Sequence, residues 1–419
     1  MSRTSGRGGG SGEFLFREQL SNMARERLGV SQIAEMISLV VENDALSFGA
    51  GEPSADMFPK DPVRAAMSRA FESDDIWGYH HDDFGDEGLR EWIVARMRAD
   101  GMLPDWVTAA DVLLTNGGGE AVSLVTEALV DAGSIVLVES PTYTETLLTF
   151  RKQGAVCVPV PSDDEGIIPE ELERIAASQR ARFLYTIPNF QNPSGRTTPL
   201  ARRERILEIL RAHGMALLED DPYHYLSYDG RPPTSYLSLA GDDRRVIHCN
   251  SFSKIISPGL RTGWAVLPPS LRGILASLRI SAGLGRPLAI QKGIHTYLEG
   301  IDFGERIGEI CGEYRKRRGV MLEMIEKYLT PLGVRTNRPA GGFFIWGEAP
   351  QDARDFDGAR FSKYAVQHHK IGIIPGCAFY PQGDEGGRRA FRLSFAKVPT
   401  DRMEEGMRRL YDAWKSYED

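Results

Sequence analysis

Cysteine is scarce: Cys157, Cys249, Cys311 and Cys377 are the only four in 419 residues, and they are widely separated. A zinc cluster needs closely spaced ligand pairs, so structural metal is not expected. Cys157 and Cys249 fall in apolar, strand-like runs and read as buried thiols in a reducing compartment. Long apolar runs are missing too, since no stretch of about 18 residues could span a bilayer. The first eleven residues, MSRTSGRGGGS, have no apolar centre of the kind a secretion signal carries and read as a disordered tail. Nor is there an excess of positive charge. The net charge of -8 gives no global electrostatic case for nucleic acid or an anionic membrane as partner. An anionic ligand would have to be held by local cations and backbone amides. A cytoplasmic protein acting on small molecules fits these absences.

What is present is an ordinary soluble composition, 42% apolar and 26% charged, on a chain too long for one core to keep growing. The expected division is a disordered tail over 1–13 and an N-terminal segment over 14–59. A large domain over 60–302 and a C-terminal small domain over 303–419 follow. Apolar runs at 112–115, 134–139, 155–160, 182–187, 215–219, 245–250 and 264–267 read as strands. Helical patterns near 118–130, 144–153, 169–178 and 200–213 separate them. Continuous β-branched runs such as Ile135-Val136-Leu137-Val138 suit a sheet buried on both faces. The expected fold is therefore α/β, a three-layer α/β/α sandwich on a mainly parallel seven-stranded sheet. A long helix near 303–329, short strands and a closing helix near 401–416 make the smaller α+β domain.

Chemistry gathers where these strands stop, the edge at which open α/β sheets hold ligands. Ser251-Phe252-Ser253-Lys254 follows one strand and is followed by Pro258-Gly259-Leu260-Arg261-Thr262-Gly263-Trp264. A lysine amine can form an imine with an aldehyde, and an arginine with two serines suits a phosphate dianion. Alone, such a lysine reads more readily as a surface residue. Thr115-Asn116-Gly117-Gly118-Gly119-Glu120 joins a strand to a helix start, where small residues and free amides favour phosphate. Ser140-Pro141-Thr142-Tyr143, Asn189-Phe190-Gln191-Asn192-Pro193-Ser194-Gly195 and Glu219-Asp220-Asp221-Pro222-Tyr223 each follow a further strand.

In this order the segments resemble the cofactor-lysine signature and companion motifs of class I/II aminotransferases, pyridoxal-phosphate fold type I. The similarity extends from about residue 30 to the C-terminus and is strongest to the kynurenine/aminoadipate-aminotransferase-like branch. That branch also holds aminotransferase-like domains of bacterial regulators; with no DNA-binding domain ahead of it, this chain is expected to be an enzyme. The resemblance implies pyridoxal 5'-phosphate held as a Schiff base on Lys254. It implies phosphate contacts from Gly118, Gly119, Ser251, Ser253 and Arg261, and ring stacking by Tyr143. Asn192 and Tyr223 would reach the phenolic oxygen, and Asp220 the pyridine nitrogen, where a carboxylate favours the protonated ring. Arg392, in Ala390-Phe391-Arg392-Leu393-Ser394-Phe395, becomes the clamp for the substrate carboxylate, assisted by Gly51 and Asn192. Tyr79 would reach the phosphate of a neighbouring subunit in a homodimer.

The implied reaction is transfer of an amino group from an L-amino acid to a 2-oxo acid. The alternative is a specialised biosynthetic enzyme performing β- or γ-elimination, replacement or cyclisation with the same cofactor. His80 and His81 read more readily as a solvated loop; as further acid/base or substrate contacts they, with His224, raise that alternative. A non-catalytic binding module would be favoured by loss of Lys254 or Arg392, and both are present. Asp221 reads as a solvated strand end. Phe48, Trp77, Phe190 and Phe343 would suit an apolar or aromatic substrate group, or serve equally as core.

Overall fold

The structure is a computed structural model that describes residues 16–79, 83–283, 287–353 and 355–417. His80 and His81 lie outside the described residues.

Its centre is an eight-stranded sheet. The order is Val112–Thr115, Gly263–Val266, Val246–Ser251, Ala216–Asp220, Ala181–Thr186, Ile135–Ser140, Val156–Asp163 and Gly166–Ile167. The five strands from Val246–Ser251 to Val156–Asp163 pair in parallel, while Gly263–Val266 runs antiparallel to both its neighbours. All seven expected strands are present; the eighth, Gly166–Ile167, is a two-residue hairpin return on the edge. Its brevity hides it from any hydrophobic pattern.

Helices between the strands cover the sheet because apolar runs such as Val136, Leu137, Val138, Leu217 and Leu218 must be shielded on both faces, and each is fully buried. Burying one such side chain contributes about 1.5–3 kcal/mol. Gly118–Leu129 packs against Thr144–Gln153 and Pro269–Ala282, and Pro169–Ser178 packs against Leu200–Ala212. Proline opens Pro169–Ser178 and Pro269–Ala282, where its missing N–H costs no hydrogen bond.

The 26-residue helix Phe303–Tyr328, capped by Asp302 accepting from the Glu305 amide, leads to a four-stranded antiparallel sheet. That sheet runs Arg335–Thr336, Phe344–Glu348, Ala390–Ser394, Ile374–Pro375. Thr400–Ser416 closes the chain against the long helix. Near the N-terminus, Leu46–Ser47 pairs in parallel with Ile371–Gly372, so residues 48–54 are drawn between the two sheets.

Candidate active site

The sheet edge holds a cavity of about 220 Å³ lined by Gly118, Gly119, Tyr143, Asn192, Asp220, Tyr223, Ser251, Ser253, Lys254 and Arg261, among others. Ten of the residues singled out in the sequence thus meet in one place. Gly51 and Arg392 adjoin them through hydrogen bonds. Tyr79 does not: it stands 80% exposed, with Trp77 72% exposed beside it.

Each lining residue owes its place to a strand end. After Val112–Thr115 the chain turns at Gly117, whose φ of +90° disfavours a side chain. A Cβ there would also lie 2.5 Å from Arg261 Nη2. The helix then opens at Gly118, and a Cβ on Gly119 would meet nothing within 4 Å, so the space over the helix start is open. Arg261 takes the left-handed conformation, φ +46°, and donates to the Asn116 carbonyl at 2.9 Å. Ser251 Oγ accepts from the Ser253 amide at 3.0 Å and contacts Ser253 Oγ at 2.7 Å, capping the short turn Phe252–Lys254.

Lys254 Nζ donates to the Gly51 carbonyl at 3.1 Å and lies about 6 Å from the ring centres of Tyr223 and Phe343. Burial first, then the positive charges of Arg392 and Arg261, push its amine down to about 8. Asp220 accepts from the Tyr185 hydroxyl at 2.8 Å through Oδ2, while Oδ1 would lie 3.9 Å from a Cβ on Gly118. Burial, reinforced by neighbouring Asp221, lifts its carboxyl to about 6 against the pull of Tyr185, His248 and Lys254. A cation placed beside such an acid would bring its pKa down. Burial also raises Tyr143, to about 12, and Tyr223.

Above these groups, Arg392 is 1% exposed and donates to Asn192 Oδ1 and to the Gly49 carbonyl, both at 2.7 Å. Its guanidinium lies over the rings of Phe344 and Phe379, at 4.3 and 4.9 Å, and its buried Nε has no partner among the described residues. Desolvation brings even this cation down to about 10. The Asn192 side chain counteracts part of the rise that burial causes at the Tyr223 hydroxyl.

Several expectations are corrected. Asp221 is fully buried, accepting from Asn189 Nδ2 at 2.9 Å and facing His224 Nδ1 at 3.3 Å. Although burial opposes it, His224, His248 and Arg203 hold its carboxyl below the usual range. His224 therefore belongs to a buried network beneath the cavity. Phe48 and Phe190 are core residues, wedged against Gly406 and against Gly341-Gly342. Of the four aromatics only Phe343 lies near the Lys254 amine. Sequence reasoning also missed Tyr185, Gly49 and Phe344. A polar-tipped tyrosine inside an otherwise apolar strand was the available signal for the first.

A family model described as "Aminotransferase class I and II" matches residues 43–410. A 2-aminoadipate transaminase of Thermus thermophilus is 34% identical over 93% of this chain and 95% of its own length. An aromatic-amino-acid aminotransferase of Thermococcus litoralis is 30% identical over 92% of this chain and 91% of its own. Among solved structures, an α-aminoadipate aminotransferase from Thermus thermophilus, complexed with N-(5'-phosphopyridoxyl)-L-leucine, superposes with a TM-score of 0.86. It is 32% identical, over 96% of this chain and 98% of that one.

Proposed function

This chain belongs to the class I and II aminotransferases, and from that premise we propose how its residues divide the transfer of an amino group from an L-amino acid to a 2-oxo acid. The enzyme depends on pyridoxal 5'-phosphate, and the cavity's donor set fits that group. Open space over Gly119, the left-handed Arg261 and the paired serines suit a phosphate, and Asp220 suits a protonated ring nitrogen. When bound, the cofactor supplies an aldehyde for amine exchange and a ring that takes up electrons from the substrate α carbon.

Lys254 would hold the cofactor covalently. Once free, its Nζ would take the proton from the substrate α carbon as base and deliver it as acid to the cofactor's aldehyde carbon. An amine already near neutrality, at about 8, suits both roles. Arg392 would bind the substrate carboxylate through its forked donors, turning the α C–H bond toward Lys254. Tyr143 would pack on the ring, and Asn192 and Tyr223 would donate to its phenolic oxygen. Phe343 beside Lys254 supports an apolar or aromatic donor side chain. The named relatives act by transamination, which favours transfer over elimination, replacement or cyclisation.

We assign the cofactor-holding part to 60–302, the substrate-clamping part to 303–419, and residues 14–59 to joining them. The expected tail over 1–13 lies outside the described residues. A homodimer in the cytoplasm, with Tyr79 reaching the partner's phosphate, is supported by the exposure of Trp77 and Tyr79; no described helix is long and apolar enough to cross a membrane. A biosynthetic role remains part of this reading.

The convergence of Lys254, Asp220 and the Gly118-Gly119 helix start on one cavity carries the proposal. Borohydride reduction of the purified protein should add the cofactor's mass at Lys254. An amino-acid panel should then yield a 2-oxo acid and pyridoxamine phosphate. Mass at another lysine, or a product that has lost a leaving group with the aldehyde retained, would overturn it.

A further inference from the structure

Glu139 is the penultimate residue of the Ile135–Ser140 strand, 2% exposed, and takes no part in the chemistry above. Three donors converge on its carboxylate. Thr186 Oγ1 reaches Oε1 at 2.6 Å, while the Ile187 amide and Gln191 Nε2 reach Oε2 at 3.1 and 3.0 Å. The same Gln191 nitrogen donates to the Pro141 carbonyl at 2.7 Å, and Gln191 Oε1 accepts from the Ser194 amide at 2.8 Å. The orientation of this side-chain amide is forced, because Ser194 N–H can only donate and Pro141 C=O can only accept.

Gln191 is thus a strap between two loops, one bearing Tyr143 and the other Asn192. On its far side the Asn192 loop is held by Asn337, which donates to the Ser194 carbonyl at 2.6 Å. An apolar side chain would fill the place of Glu139 at lower desolvation cost. Burial, with a smaller push from the Asp220 charge, drives that carboxyl up to about 7 against the three donors. A buried acid is a poor filler and a good anchor for an amide.

Resting on the roles given to Tyr143 and Asn192, we propose that Glu139 is a positioning residue that fixes Gln191 and thereby the separation of Tyr143 and Asn192 across the cavity.

The test compares Glu139→Leu, Gln191→Leu and their double variant with Thr186→Val, all as holoenzyme. Glu139→Leu removes both acceptor oxygens, including the one shared by the Ile187 amide and Gln191 Nε2. Thr186→Val removes a partner of Glu139 without touching the strap. We expect the first two to shift the pH midpoint of the bound cofactor's absorbance upward by about one unit, as donors drift from the phenolic oxygen. Cofactor affinity and kcat should each fall about tenfold or more, with KM changing less. The double variant should be no worse than either single one, because both cut the same strap. Thr186→Val should lower the melting temperature and leave the midpoint in place. If Glu139→Leu and Gln191→Leu keep the wild-type midpoint and kcat, whatever the melting temperature does, the proposal fails. Should Glu139→Leu not fold, Gln191→Leu decides by the same readouts. A wild-type protein showing no bound-cofactor absorbance would sink the functional reading itself, and this inference with it.

Discussion

The floor of the cavity is supplied by strand ends, each delivering its side chain within a few residues of where the strand stops: Gly118 after Thr115, Tyr143 after Ser140, Lys254 after Ser251. The wall facing it is assembled differently. Gly49 and Gly51 come from the N-terminal segment, Phe343 and Phe344 from the start of one strand, and Arg392 from the middle of another. Floor residues are fixed by local turns and caps, such as Ser251 on the Ser253 amide. Wall residues are fixed by contacts across 200 or more positions of sequence, such as Arg392 to Asn192. If the two sides act independently, the cofactor's geometry can stay constant while the substrate side is retuned, even though Arg392 on Asn192 and Gly51 on Lys254 link them.

The largest effect should come from the floor. Asp220→Ala removes the carboxylate that would stabilise the protonated ring, and kcat should fall on the order of 10²–10³-fold. Its absorbance spectrum should change as well, while KM for the amino donor moves little. An unchanged spectrum with raised KM would place Asp220 on the wrong side of the comparison. Arg392→Gln tests the wall. The loss of a charge-assisted clamp should raise KM for both substrates about a hundredfold, leaving borohydride-reducible cofactor on Lys254. If the variant instead loses the cofactor, wall and floor are one unit and the division collapses.

The same division governs what the amino-acid pattern reveals. Strand ends are legible because apolar runs bracket them, and the seven long strands fall close to their expected places. The floor motifs could be read straight from those ends. Helices Lys60–Ala70 and Leu288–Glu299 escape such a reading because their contact rests on Gly293, where a Cβ would come 2.1 Å from Met67 Sδ. Glycine leaves no hydrophobic mark. Asp221 misleads for a related reason: two acids at a strand end resemble a solvated cap. Only the fold brings Asn189, His224 and Arg203 around one of them. Tyr185 reaches Asp220 from the adjacent strand, and that pairing needs the register of Tyr185 beside Leu218.

Lys254 belongs to the floor by position but takes part of its character from the wall, and this is where the comparison can be sharpened with the gentlest perturbation. Burial is the first cause of its lowered pKa of about 8, and Arg392 is the second. The protonated amine has no lone pair to offer an aldehyde. Cofactor capture by the apo-enzyme should therefore slow about tenfold for each pH unit below about 8 and level off above it. Stopped-flow absorbance between about pH 6 and about pH 11.5, roughly the range spanning the free and buried amine, would trace the midpoint. Because a neighbouring cation disfavours a second positive charge, Arg392→Gln should move that midpoint upward. A wild-type midpoint near the ordinary lysine value would mean that water reaches the amine and that burial does not set its chemistry. A lowered midpoint that Arg392→Gln leaves unmoved would assign the whole shift to the floor.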